Sequence, residues 1–317
     1  MRAYDALKVA AAFGVDVIDA SQMAGGWVNS NWLITARNGS RFVVRRYDGL
    51  NVTQRGIAYE HAVMRQASER LPEVKAPLAA SNGRTFEMYD DLCFATFPYI
   101  EGRSGERSAA IGAAQLLARL HASLADFHPK KPRVAQSERM LEWLRRQFKQ
   151  FAKQEALAKK LDWDALNHRI GDAGMLTLFK RANLPLTTVH GDPHPDNFIV
   201  ADGRVTGLID FDFCQESERV YDVASAADAF ARADEDAPLD LGAAAAFAAA
   251  YHAEAPLSAE EWQLIPPLMI RRNAFLVWYV VRRHGERAVG DVGNAERYAR
   301  RVAEIDRLRR EWPGAPP

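Results

Sequence analysis

Cysteine is nearly absent: the 317 residues hold only Cys93 and Cys214. Two thiols are too few for a disulfide framework and suit a reducing compartment. Cys214 reads as a packed thiol. Neither sign of charge is in excess, since Lys plus Arg and Asp plus Glu both number 41. The basic surplus usual in a nucleic-acid binder is therefore missing. No uncharged apolar run is long enough to span a membrane. The opening stretch MRAYDALKVAAAFGVD is broken by Asp5 and Lys8, unlike the apolar core of a secretion signal. The expected location is the cytoplasm, with no nucleic-acid and no membrane partner; monomer and homodimer both stay open. There is no internal repeat. What is present is apolar residue, 48% of the chain, in a length sufficient for two units of ordinary domain size.

The pattern predicts an α+β protein. Residues 1–20 suggest a short helix. Residues 31–37 and 41–47 read as strands around the Asn38-Gly39-Ser40 turn. Residues 55–71 read as a helix ended by Pro72, and 84–98 as two more strands. After Pro98 helical patterns dominate, over 108–125, 138–160, 164–183, 240–254, 258–284 and 293–311. The one strand-rich island is 186–213. The alanine-rich run 242–250 reads as helix, because alanine is the best helix former. The boundary falls near 98–103, dividing the chain into 1–98 and 99–317.

The island carries the chemistry. His190-Gly191-Asp192-Pro193-His194-Pro195-Asp196-Asn197 is followed by Asp210-Phe211-Asp212. Between them Asp202-Gly203 is a two-residue hairpin signal, since a type I′ turn needs positive φ at both central positions. Folding there pairs Ala201 with Arg204 and, counting outward, Asn197 with Leu208, which sets Asp210 at the same open end as Asn197. Magnesium prefers oxygen ligands shared between one or two protein groups and a substrate's phosphates, a description that Asn197 and Asp210 fit. Asp192 reads as the group that orients or deprotonates an attacking hydroxyl, as in phosphoryl transfer. Each residue alone reads better as part of an ordinary Asp-, His- and Pro-rich loop; the three together, at this spacing around a hairpin, favour the metal and base over that alternative.

The HGDPHPDN and LIDFD motifs resemble those of the aminoglycoside phosphotransferase and choline kinase superfamily, and the resemblance extends over nearly the whole chain. It implies a two-lobed protein-kinase-like fold, with a small antiparallel-sheet lobe and a larger mainly helical one. It also implies Asp192 as catalytic base, Asn197 and Asp210 as magnesium ligands, and ATP as phosphoryl donor. Asp212 stands where protein kinases have the glycine of D-F-G, which argues against a protein substrate. Within the superfamily, Asn29-Ser30-Asn31-Trp32 and DFDFCQESERVYD are most similar to the type II homoserine kinases.

Other positions gain a reading from the same resemblance. On the 55–71 helix Ile57, Met64 and Leu71 form a stripe that also holds Glu60 and His61. An inward carboxylate needs a cation. In kinase-like folds that cation is a strand lysine, and the match in Phe42-Val43-Val44-Arg45 falls on Arg45. Arginine is not equivalent to lysine, though it grips phosphate bidentately. The alternative is that Arg45 and Arg46 face solvent. Gly25-Gly26 lies in GGWVNSNWLI, which resembles the nucleotide-covering loop, but a glycine pair is as typical of a turn. Pro98-Tyr99-Ile100 occupies the junction where adenine binds in such folds; a plain linker reads equally well.

His121 reads as a packed core histidine, His190 as a brace for the catalytic loop, and His194 as exposed. Asp222 of Tyr221-Asp222 reads as a capping or bracing group. Arg271, Arg272, Arg282 and Arg283 read as a solvated helix face, with an anionic substrate pocket as the alternative. Asp234-Glu235-Asp236 reads as a solvated loop, or else as a pocket for a cationic antibiotic. The expectation is thus an ATP- and magnesium-dependent phosphotransferase acting on a small-molecule hydroxyl, possibly homoserine or a related amino alcohol. Its rivals are an antibiotic phosphotransferase of aminoglycoside type, a protein Ser/Thr kinase and a nucleotide-binding pseudokinase.

Overall fold

The computed structural model describes residues 3–24, 28–50, 52–285 and 294–317. The chain divides into two compact units. The first is Met1–Arg103 together with Ile199–Asp212, and the second is Ser104–Phe198 together with Phe213–Pro317.

The first unit begins with α1 (Ala3–Ala12), β1 (Val17–Gln22), β2 (Ser30–Ala36) and β3 (Arg41–Arg46). It continues through α2 (Gln54–Ser68), β4 (Glu87–Tyr89) and β5 (Leu92–Pro98). The five strands form one antiparallel sheet in the order β1-β2-β3-β5-β4. Alternation puts Trp32, Ile34, Val44 and Phe94 on one face, where they bury against Ala6, Val9, Ala10 and Phe13 of α1. The sequence reading of 1–20 as one helix is corrected here. Gly14, at φ +77°, ends the helix, and the chain turns into β1, an edge strand too polar for its alternation to show.

The second unit holds α3 (Ala110–Ser123), α4 (Ser137–Phe151), α5 (Glu155–Ala158), α6 (Trp163–Ile170) and α7 (Ala173–Ala182). The strand β6 (Leu186–Val189) precedes a hairpin of β7 (Phe198–Ala201) and β8 (Arg204–Leu208). Then come β9 (Gln215–Glu218), which pairs with β6, and α8 (Val220–Phe230), α9 (Leu241–Glu254), α10 (Ala259–Gln263), α11 (Ile265–His284) and α12 (Asn294–Leu308). Two long helical patterns are split by cap chemistry. Asp172 accepts from the Met175 amide to start α7, and Pro266-Pro267 occupy the first turn of α11. α8 escaped the sequence reading because it is buried on nearly every side and shows no polar stripe.

From β7 onward the hairpin groups with the first unit, whereas a division at residue 98 leaves it in the second. Backbone bonds account for this: the Arg103 amide donates to the Val200 carbonyl (2.8 Å) and the Val200 amide to the Arg103 carbonyl (2.7 Å). Among the described residues no helix is long and apolar enough to cross a membrane.

Candidate active site

The hairpin folds as its turn residues dictate. Asp202 and Gly203 have φ +49° and +70°, the two positive values of a type I′ turn. Asn197 is not a strand residue, as the counting had implied. It ends a tight 3-10 turn, Pro195–Asn197, immediately before β7. Asp210 lies two residues past β8 and also has positive φ, +65°. Aspartate is among the few side chains that tolerate this region, and such backbone tends to occur at functional positions.

In the first unit a cation sits among three carboxylates. Arg45, 8% exposed, reaches Asp210 at 3.1 Å, Asp212 at 3.3 Å and Glu60 at 3.8 Å. The structure therefore brings Arg45, Glu60 and Asp210 together. Arg46 points elsewhere, pairing with Asp48 at 2.7 Å, as the alternation of a strand requires. Burial opposes the Arg45 charge, but Asp210 and Asp212 outweigh it and raise the pKa. Asp212 is pushed up to about 6, first by burial and then by Asp210, with Arg45 and the amide of Asn29 acting against them.

Behind Glu60 runs a buried chain of hydrogen bonds. The Tyr47 hydroxyl donates to Glu60 Oε1 (3.3 Å) and meets His61 Nε2 at 2.9 Å. His61 Nδ1 meets the Thr85 hydroxyl at 2.7 Å. Burial, then the charge of Arg45, pulls the His61 pKa down to about 3. The unfolded chain, with histidine near 6.5, binds more protons between these values. Stability is thus present above about 6.5 and lost as the pH falls towards 3, by up to roughly 1.4 kcal/mol per pH unit. Urea unfolding at pH 7.5 and 5.0 should show wild type losing about 1–2 kcal/mol more than His61→Gln. Equal losses would remove His61 from the acid response.

In the second unit the loop around Asp192 is held from below. Asp222 of α8 is fully buried and accepts from the His190 amide (2.7 Å), the Gly191 amide (2.9 Å) and His121 Nε2 (3.0 Å). His121 is braced in turn by the Tyr251 hydroxyl at 2.7 Å. Gly191 has φ +86°, and a Cβ there would stand 2.1 Å from the Phe213 carbonyl oxygen, so only glycine fits. The Asn197 amide nitrogen donates to the Asp192 carbonyl at 2.9 Å, which fixes the amide and directs its oxygen away from that bond.

The Asp192 carboxylate takes a hydrogen bond from Arg272 of α11 and has His194 Nε2 at 3.7 Å. Burial raises its pKa, but Arg272, His194 and His190 outweigh burial and leave it below the ordinary carboxylate value. His194 is half-buried rather than exposed, and Asp192 and Asp196 raise its pKa against burial. Sequence reasoning did not assign Arg272 to Asp192. Arg271 and Arg272 are 2% and 8% exposed, so they form no solvated face; Arg282 is exposed. Their signal was visible as two arginines on an otherwise apolar helix, where burial demands partners.

Of the remaining sequence-derived positions, Gly25 and Gly26 lie outside the described residues. Pro98 ends β5, the Tyr99 ring lies 4.5 Å from the Arg41 guanidinium, and Ile100 packs over Gly207. Cys93 and Cys214 are buried and are not joined in a disulfide.

A sequence profile of the phosphotransferase enzyme family matches residues 19–262. The chain is 28% identical over 278 residues to a homoserine kinase of Methylobacillus flagellatus, covering 83% of this chain and 79% of that protein. In structure it is similar to the amicoumacin kinase hAmiN, solved with AMP-PNP, Ca2+ and Ami, with TM-score 0.68 and 16% identity over 94% of this chain and 90% of that one. It is also similar to an ethanolamine kinase of Plasmodium vivax, with TM-score 0.67 and 15% identity over 90% and 82% of the two chains. The fold is the protein-kinase-like one, with an antiparallel-sheet unit and a mainly helical unit.

Proposed function

We propose, from the premise that this chain belongs to the phosphotransferase enzyme family and is a small-molecule kinase acting on a hydroxyl, that its acceptor is homoserine or a related amino alcohol. Its donor is then ATP and its metal magnesium. The observation that carries the reading is Asp192: a carboxylate kept ionised in a half-buried position, on a loop pinned through its backbone by Asp222. Homoserine is favoured because the curated relatives of this chain, from M. flagellatus among others, are homoserine kinases matched over about four-fifths of both proteins.

Asp192 orients the acceptor hydroxyl and takes its proton as the bond to phosphorus forms. Positioning supplies much of the remaining acceleration. The donor set fits magnesium, since Asn197 and Asp210 offer the hard oxygen atoms it prefers. Bound there, the ion would neutralise the charge of the triphosphate. Arg45 steadies the donor's phosphates, and Glu60 keeps the guanidinium aimed. Pro98, Tyr99 and Ile100 border the adenine.

The test is a phosphorylation screen of the full chain with ATP and magnesium over homoserine, choline, ethanolamine, sugars, aminoglycosides and a protein mixture. Homoserine should give the highest kcat/KM, with no transfer when the metal is chelated. Preferential labelling of protein or of aminoglycosides would overturn the acceptor. Metal-independent ATP binding without transfer to any acceptor would make the chain a pseudokinase.

A further inference from the structure

The charges around Asp192 within the second unit do not suit a cationic acceptor. The acidic segment that offered such a pocket is already neutralised by α12. Arg297 pairs with Glu235 and, at 2.8 Å, with Asp236, and Arg300 stands 3.6 Å from Asp236. Next to Asp192 stands a cation instead, Arg272, buried on α11 with Tyr221 and Tyr298 beside it. The adjacent Arg271 is more deeply buried. Its guanidinium lies 3.8 Å from the centre of the Tyr221 ring and donates to the Ala135 carbonyl at 2.9 Å. Its Nε and Nη1 have no hydrogen-bond partner, and no carboxylate lies within ion-pair distance of it, among the described residues. Arg272 thus has one ion-paired carboxylate, Asp192, while the charge of Arg271 is favoured at longer range by Glu218 and Asp222. Buried polar groups are costly unless they are partnered, so the two unpartnered donors of Arg271, next in sequence to Arg272, make this helix face one that an anionic group suits better than a cationic one.

We infer that the acceptor carries a carboxylate and that Arg272 is the side chain that receives it, which makes Arg272 the residue that determines specificity. This rests on the reading of the chain as an amino-alcohol kinase and narrows it: an amino acid bearing a hydroxyl is taken, and the same amine without its carboxylate is discriminated against. The planar fork of arginine suits a carboxylate geometrically. Its position beside Asp192 places the acceptor's anionic end on the same side as the base.

The experiment compares L-homoserine with 3-aminopropan-1-ol, which is the same molecule without the carboxylate, for the wild-type full chain, Arg272→Gln and Arg272→Lys. Wild type should prefer homoserine by roughly 100-fold in kcat/KM, the size expected when a site built for a charged hydrogen bond meets an analogue that lacks it. Arg272→Gln should lower kcat/KM for both acceptors, because Arg272 also holds the Asp192 carboxylate, but for homoserine by about 100-fold more than for aminopropanol, the excess appearing chiefly in KM. Arg272→Lys keeps the charge but loses the fork and should fall between, with an excess loss on homoserine of about 10-fold over that on aminopropanol.

Equal losses on both acceptors would reduce Arg272 to a clamp on Asp192 and overturn the inference while leaving homoserine as substrate. A wild-type enzyme that treats the two acceptors alike overturns it without any variant. If wild type ignores homoserine but phosphorylates another hydroxy acid, losing that activity in Arg272→Gln, the acceptor proposed above falls and the role of Arg272 stands.

Discussion

Asp192→Asn is expected to lower kcat by roughly 100- to 10,000-fold, the range of a positioned proton acceptor, while ATP still binds with magnesium. The substitution is nearly isosteric. The amide oxygen can still accept from Arg272, and the bonds donated by the His190 and Gly191 backbone amides to Asp222 do not involve the Asp192 side chain. What is lost, on the proposed reading, is the group that takes the hydroxyl proton. Steady-state kinetics alongside calorimetric titration of ATP separate the two effects. Wild-type turnover in the variant would show that the proton leaves by another route and that Asp192 is not the base.

The second large effect is expected at Arg45. Arg45→Met keeps much of the volume and removes the cation facing Glu60, Asp210 and Asp212. Glu60 is 2% exposed and cannot recruit water freely. Deleting one partner of a buried pair typically costs 3–5 kcal/mol. Asp210 and Asp212 retain side-chain exposures of 37% and 17%, so solvent screens part of the loss, and about 3 kcal/mol is expected. The KM for ATP should rise in the same variant. Arg45→Lys should recover most of the stability but less of the nucleotide affinity, because the ammonium cannot grip bidentately. Urea unfolding and KM measurements check both. A wild-type unfolding midpoint for Arg45→Met would mean that the cluster contributes nothing net.

What could be read from the sequence followed the range of each interaction. The Asp202-Gly203 turn was legible because two neighbouring residues decide it, and the turn's positive φ values are those the pair demands. Glu60 was legible as an inward carboxylate because helical periodicity is local, and the Phe42–Arg45 match fell on the arginine that meets Glu60 rather than on Arg46. The contact between Arg272 and Asp192 was not legible. It joins positions eighty residues apart, and α11 is so widely buried that no polar face marks which arginines turn inward. Arg45's bonds to Asp210 and Asp212 were hidden for the same reason, being separated by about 165 residues. β1 was missed because an edge strand needs little apolar alternation.

The first unit is discontinuous, and this sets a schedule for its biosynthesis. Its closing segment, Ile199–Asp212, leaves the ribosome only after Ser104–Phe198 has been made. Until then Arg45 lacks two of the three carboxylates it meets in the finished fold, because Asp210 and Asp212 are still untranslated. Domains that are continuous in sequence can fold in the order in which they emerge; this one cannot complete its charge cluster before roughly two-thirds of the polypeptide exists.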